Sequence, residues 1–181
     1  VRKTEGGFEV DLSKEGRHYT VRCTSLVVAT GGKSIPKMGA TGFGYKLAQQ
    51  FDLALVETRP ALVPLTFSPD FLETTKPLAG VAVEAFVDAN GTAFREGLLF
   101  THRGLSGPSI LQASSYWSEG DEVRVNFDPD GQLPGRLRTM RATAGKRSFA
   151  TALAEHMPKR AAEYMSGQSG ANDNRNLADM T

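Results

Sequence analysis

The feature that most constrains this chain is the run Leu26-Val-Val-Ala-Thr-Gly-Gly-Lys-Ser-Ile-Pro-Lys-Met-Gly-Ala-Thr-Gly-Phe-Gly44. Its first four residues are apolar and rich in β-branched side chains, which predicts a short buried strand over Leu26–Ala29. Two glycines follow at once, where a missing Cβ lets the backbone come close to another group. Gly39, Gly42 and Gly44 add a second glycine-rich turn, and Tyr45, Leu47, Ala48 and Phe51 then mark a helix over Tyr45–Phe51. Strand, Gly-Gly, loop, Gly-rich turn and helix is the layout of a nucleotide-cofactor site in an α/β protein. The same glycines would also serve as simple tight turns, so spacing alone leaves both readings open. Gly42-Phe43-Gly44 with Ala48 imitates a dinucleotide fingerprint, but a dozen residues separate it from the strand. Gly31-Gly32-Lys33-Ser34 imitates the end of a phosphate loop and is rejected, because the glycine five residues before Gly32 is missing.

On either side of this run the pattern is that of strands. Phe8, Val10 and Leu12 alternate with charged residues, as do Tyr19, Val21 and Cys23 with polar ones, which predicts a hairpin leading into Leu26. Cys23 falls on the apolar face as a small packing residue. Leu53–Val56 reads as another apolar strand, and Pro60 and Pro64 bracket an extended edge or crossover segment. Beyond Leu65 the character changes. Val81, Val83, Ala85 and Val87 alternate, Asn90-Gly91 makes a turn, and Phe94–Phe100 returns. Val123, Val125 and Phe127 form a further strand. Residues 65–130 therefore read as a mainly antiparallel β module following an α/β piece. From Leu137 the spacing is helical, with Phe149, Leu153 and Met157 in register and a break at Pro158. His156 reads as a surface residue, and the polar stretch from Ser166 to Thr181 as loop or frayed chain.

A second constellation lies at Leu98-Leu-Phe-Thr-His-Arg-Gly-Leu-Ser-Gly-Pro108. A strand ends at Phe100, Ser106 stands where an N-cap is expected, and Pro108 opens a helix running towards Tyr116 and Trp117. A helix N-terminus offers free N–H groups to an anion or a polarised oxygen, and His102 ahead of it is a candidate general acid. Capping by Ser106 and a purely structural loop bond from His102 explain the same residues.

Composition narrows the function classes. A formal charge of +1 across 181 residues, with 23% charged, argues for neither a nucleic-acid footprint nor a membrane surface. No apolar run approaches the roughly 20 residues a membrane helix needs. A single cysteine excludes an intrachain disulfide and a cysteine-cluster metal site, and no metal site is expected. A reducing, cytoplasmic setting follows.

Taken with Pro60-Ala-Leu-Val-Pro-Leu65, the two constellations occur in an order that resembles a family of bacterial FAD-binding oxidoreductases. That family includes aminoacetone-oxidase-like enzymes and bile-acid-pathway reductases. A more distant similarity links the chain to fumarate reductase flavoproteins, which carry a comparable Ala-Thr-Gly-Gly strand. The resemblance implies an α/β fold with an inserted antiparallel β module, part of a two-dinucleotide-binding FAD fold with a β-barrel-like and helical insert. Residues 1–64 would belong to the FAD-binding α/β domain, 65–136 to the inserted β module, and 137–181 to the helical segment and polar tail. Ala29, Thr30, Gly31 and Gly32, with Thr41, Gly42 and Gly44, map onto FAD contacts; relatives often carry Asp where this chain has Phe43. The chain corresponds to the middle of such an enzyme. Its Gly-x-Gly-x-x-Gly turn is expected before Val1, and a returning segment after Thr181. The expected activity is FAD-dependent hydride transfer to or from a small organic substrate, an amine or an activated C=C, with NAD(P)H a candidate electron donor. His102 and Ser106 would act at the substrate side. Alternatives are a non-catalytic binding module and an RNA-base reductase of the same family. On charge, nucleic acid and membrane are not expected as partners of this segment.

Overall fold

The computed structural model describes residues 1–169 and 175–180. It divides into two compact units, Val1–Thr58 and Arg59–Thr181.

The first unit holds a three-stranded antiparallel sheet, β1 (Arg2–Thr4), β2 (Gly7–Lys14) and β3 (Arg17–Cys23), in that order. The predicted hairpin is present, with Phe8 opposite Cys23 and Leu12 opposite Tyr19. Charged side chains knit its open face. Arg22 Nε donates to Glu9 Oε1 at 2.8 Å, and Arg2 pairs with both Glu9 and Asp11. These guanidinium bonds hold both carboxyls below the usual carboxylate range. Cys23 is half-buried, its Sγ 3.9 Å from the Phe8 carbonyl oxygen. Helix α1 (Phe43–Gln50) starts two residues before the predicted Tyr45–Phe51 and leaves Phe51 as its C-cap; it buries Leu47 and brings Phe51 edge-on to Phe8 at 6.0 Å.

Two predicted strands of this unit do not form. Leu26–Ala29 and Leu53–Val56 are irregular, with Val27 85% and Val56 90% exposed. An apolar run becomes a strand only when a neighbour accepts its ladder bonds. Neither run pairs with the three-stranded sheet of the unit, whose order β1-β2-β3 includes no further strand. The parallel sheet of a nucleotide-binding fold is accordingly not formed here.

The second unit is an antiparallel sheet with helices packed on it. Its strands are β4 (Leu65–Thr66), β5 (Ala82–Ala89), β6 (Thr92–Thr101), β7 (Gly104–Ser106) and β8 (Val123–Asn126), in the order β4-β7-β6-β5-β8. Asn90 (φ 52°) and Gly91 (φ 78°) make the two-residue turn between β5 and β6, a left-handed pair that matches strand twist. Alternation along β5 buries Ala85, Val87 and Ala89 and leaves Phe86 outside. With Leu98, Phe100 and Leu105 they form the core, capped by Ile110 and Ala113 of α3 (Pro108–Ala113). Short α2 (Pro69–Thr75) lies between β4 and β5, and α4 (Leu133–Ala144), α5 (Phe149–Leu153) and α6 (Lys159–Gln168) follow the sheet. Arg160 ties α6 back, donating to the carbonyls of Pro77 and Ala79 at 3.0 Å.

The polar tail is more ordered than its composition suggests where it is described. Asn176 bridges to Ser148, the Leu177 N–H donates to the Arg147 carbonyl at 2.8 Å, and Leu177 is buried. One leucine in a polar stretch is enough to dock it. The rest of that stretch, 170–174 and 181, lies outside the described residues. None of the described helices is long and apolar enough to cross a membrane.

Candidate functional site

Within the first unit, the two glycine-rich turns meet. Val28, Thr30, Gly31 and Gly32 line an open concavity of about 400 Å³ together with Gly44 and Tyr45 at the start of α1. The approach is tight. A Cβ on Gly44 would lie 3.1 Å from the Thr30 hydroxyl oxygen and 3.7 Å from Val28 Cγ1, so a side chain there would crowd the Thr30 side chain. Gly31 differs. Its φ is +71°, and a Cβ would meet no protein atom within 4 Å, because it would project into open space. The lining carries no charged side chain. It offers backbone groups, one hydroxyl and an aromatic ring, and suits a neutral polar ring system or sugar hydroxyls better than a pyrophosphate.

The remaining residues of this group stand behind the concavity. The Thr41 hydroxyl accepts the Phe43 N–H at 3.3 Å and so sets the turn through Gly42 into α1. Lys33 Nζ lies 5.2 Å from the centre of the Tyr45 ring and donates to Thr58 Oγ1 at 3.2 Å, bracing the loop. Ala29 belongs to the irregular run just before Thr30 and is exposed.

His102 and Ser106 belong to the second unit. His102 and Arg103 form the two-residue connection between β6 and β7, closed by the pairing of Thr101 with Gly104. Thr101 Oγ1 donates to the Gly104 carbonyl at 3.1 Å and accepts the Arg103 N–H at 3.2 Å. The turn is thus held without His102, whose exposed ring has no side-chain partner among the described residues. Ser106 is not an N-cap. It is the last residue of β7, paired with Leu99, and the cap position falls to Gly107. Ladder pairing took the serine, and the sharp exit into α3 needs φ +96° and ψ 163°, which a serine resists. A Cβ on Gly107 would stand 2.6 Å from the Gly97 carbonyl oxygen. Helix α3 stops at Ala113, short of the expected Tyr116, and with six residues it gives no support to an anion site at Ser106.

Sequence reasoning missed a charge division inside the second unit. Residues 59–132 carry five Lys/Arg against ten Asp/Glu, while 133–162 carry seven against Glu155 alone. Counting sign by segment instead of over the whole chain would have found it. A polar cavity of about 300 Å³ where these regions meet includes Glu84, Asp128, Asp130, Arg136 and His156 in its lining. The His156 ring, exposed as expected, lies with Nδ1 3.2 Å from an Arg136 NH group; arginine can only donate, so Nδ1 accepts.

Comparison with known proteins agrees with this division into units. The chain is 50% identical over 166 residues to the ribosomal RNA dihydrouridine synthase of Escherichia coli K12, covering 91% of this chain and 40% of that protein. It is 37% identical over 146 residues to the protein of the same name from Haemophilus influenzae Rd, covering 78% of this chain and 35% of the relative. The chain therefore spans about two-fifths of the length of these curated relatives. Their names match the RNA-base alternative among the expected functions, not an aminoacetone-oxidase-like or amine-oxidising one. They also overturn the expectation that nucleic acid is not a partner: both relatives are named for ribosomal RNA, and net charge misled because opposite signs in adjacent segments cancel. A family profile described as the HI0933-like protein barrel and H2TH domain matches residues 59–181. This chain belongs to the HI0933-like family, and its second unit is that family's barrel and H2TH domain.

Proposed function

We propose that the full-length protein is a flavin-dependent enzyme that reduces a uracil ring in ribosomal RNA to dihydrouracil, with FAD as the flavin and NAD(P)H as the electron donor. The observation that carries this reading is the 50% identity, over 91% of the chain, to a protein named for that reaction. The concavity at Thr30–Gly32 and Gly44 supports it: a neutral, glycine-walled recess fits a flavin ring or its sugar-like hydroxyls. Gly31 and Gly32 would give close backbone approach, Thr30 a hydroxyl donor, and Thr41 and Gly42 the turn that keeps Gly44 in place, with Ala29 leading the chain in.

A bound reduced flavin supplies hydride. The C5–C6 double bond of uracil is conjugated with the C4 carbonyl, so hydride adds at C6 and a proton must reach C5. The chain's own task is then to hold the ring, polarise O4 and deliver that proton. In this reading His102 donates the proton and the Ser106 hydroxyl donates a hydrogen bond to a pyrimidine carbonyl. His102 suits the role because its ring is exposed and not engaged in holding its own turn. The division into FAD-binding residues 1–64, inserted β module 65–136 and helical segment 137–181 belongs to the same reading.

The test is genetic and chemical. Nucleosides from the ribosomal RNA of cells lacking the gene should lack one dihydrouridine, and the full-length gene should restore it. An unchanged dihydrouridine content in the deletion strain would overturn the proposal.

A further inference from the structure

Resting on that reading, we propose that the C-terminal half of α4 and the turn after it form a phosphate-binding surface for RNA, centred on Arg138, Arg141 and Lys146. The observation is how the basic residues of 133–162 are used. Four of the seven are engaged within the unit. Arg136 contacts Gln132 and His156, Arg147 pairs with Glu155, Lys159 lies 3.7 Å from Glu163, and Arg160 holds the carbonyls of Pro77 and Ala79. Arg138, Arg141 and Lys146 remain exposed with no side-chain partner among the described residues.

Their placement is what a polyanion needs. Arg138 and Arg141 are three apart on one helix, so their side chains leave the same face about 5–6 Å from each other. Lys146 follows just past the helix end, on the side of Gly145 away from Arg141 in sequence. The apolar positions Leu133 and Leu137 of α4 line a cavity shared with Phe149, Leu153 and Met157, whose lining includes neither arginine. The C-terminal dipole of α4 accounts for a cation in its last turn, Arg141, but not for Arg138 a turn earlier. Solubility does not require the cluster, since residues 59–132 already carry an excess of acid. That acidic barrel would repel an RNA backbone, so the opposed signs would orient the polyanion towards the helices.

Phosphate contacts made by Lys and Arg release counterions, and each adds about 0.7 to 0.9 to the slope of log affinity against log salt. The experiment uses the full-length protein and a fluorescein-labelled 20-nucleotide single-stranded RNA, titrated by anisotropy from low to high salt. The triple variant Arg138→Gln/Arg141→Gln/Lys146→Gln should lower the slope by about 2 and weaken binding by roughly 100-fold at 0.1 M salt. Arg138→Lys/Arg141→Lys should keep the wild-type slope. The control Lys3→Gln/Lys14→Gln/Arg17→Gln removes equal charge elsewhere and should also keep it. If wild type binds the RNA and makes dihydrouridine but the triple variant has the wild-type slope, this surface is wrong and the enzyme reading stands. An equal loss in the control triple would also refute it, since the effect would be one of total charge. If the wild-type protein holds flavin but neither binds nor modifies RNA, the enzyme reading fails and this proposal with it.

Discussion

Gly31→Ala separates a cofactor cradle from an ordinary turn, because here the structure assigns different costs to the two. In the protein the added Cβ meets nothing within 4 Å, so no packing is disturbed. The left-handed backbone, φ +71°, costs an L-residue about 1–2 kcal/mol, partly offset by the ~0.4–1 kcal/mol gained from a stiffer unfolded chain. The net loss of stability is about 1 kcal/mol, and Tm should fall by no more than a few degrees. A flavin lying against the concavity meets the methyl directly. Overpacking by one carbon costs about 1–3 kcal/mol, or roughly 5- to 150-fold in Kd. The assay is fluorescence titration of the flavin-free full-length variant with FAD, beside a thermal melt. A Kd within twofold of wild type, with the same small drop in Tm, would make Gly31 a turn glycine and remove the cradle.

Other expectations follow from the same geometry. Gly107→Ala should cost about 3 kcal/mol or more, seen as a lower denaturant midpoint, because backbone atoms of Gly97 and Leu99 stand 2.6 and 3.0 Å from the new Cβ. Ile110→Ala, at a fully buried position under the sheet, should cost about 2–5 kcal/mol by the same measurement. His102→Ala should keep bound flavin and slow the reoxidation of reduced flavin by RNA by roughly 10²–10⁴ in stopped flow; an unchanged rate would leave His102 as a turn residue. Glu9 and Asp11 have folded-state pKa values below their unfolded ones, mainly through Arg22 and Arg2 respectively. Their contribution is therefore complete above the ordinary carboxylate range and disappears as pH falls through the folded values. Amide exchange across residues 7–23, corrected for intrinsic rate, should accelerate on acidification below about pH 4, and less so in Arg2→Gln.

What the sequence makes legible here is local. Alternation along Val81–Val87 with Asn90-Gly91 behind it specifies a hairpin whatever lies around it, and the hairpin is there. Pro108 at the start of α3 and the break at Pro158 were equally readable, since proline restricts its own backbone. The errors are non-local. Leu26–Ala29 has the composition of a buried strand, but composition states what favours burial and not which neighbour will cover it. Ser106 was read as the cap, and its pairing with Leu99 on another strand is what moves the cap to Gly107. Leu177 docks because Arg147 and Ser148 present backbone groups to its segment, which no local pattern announces. In the candidate site, Thr30, Gly31, Gly32 and Gly44 were chosen by motif and lie together around one concavity, whereas His102 and Ser106 sit on a different unit. The basic character of residues 133–162 escaped notice because it is a property of a segment, invisible in a net value of +1.

Under the proposed function, a uracil ring in ribosomal RNA accepts the hydride. This is tested most directly by mixing the full-length protein, its flavin reduced under anaerobic conditions, with protein-free ribosomal RNA from a strain lacking the gene. Flavin reoxidation is followed optically, and the digested RNA by mass spectrometry. Reoxidation should require the RNA and yield, per flavin, one uridine heavier by two hydrogens. Reduced flavin that stays reduced in the presence of this RNA, or reoxidises with no such uridine formed, would contradict it.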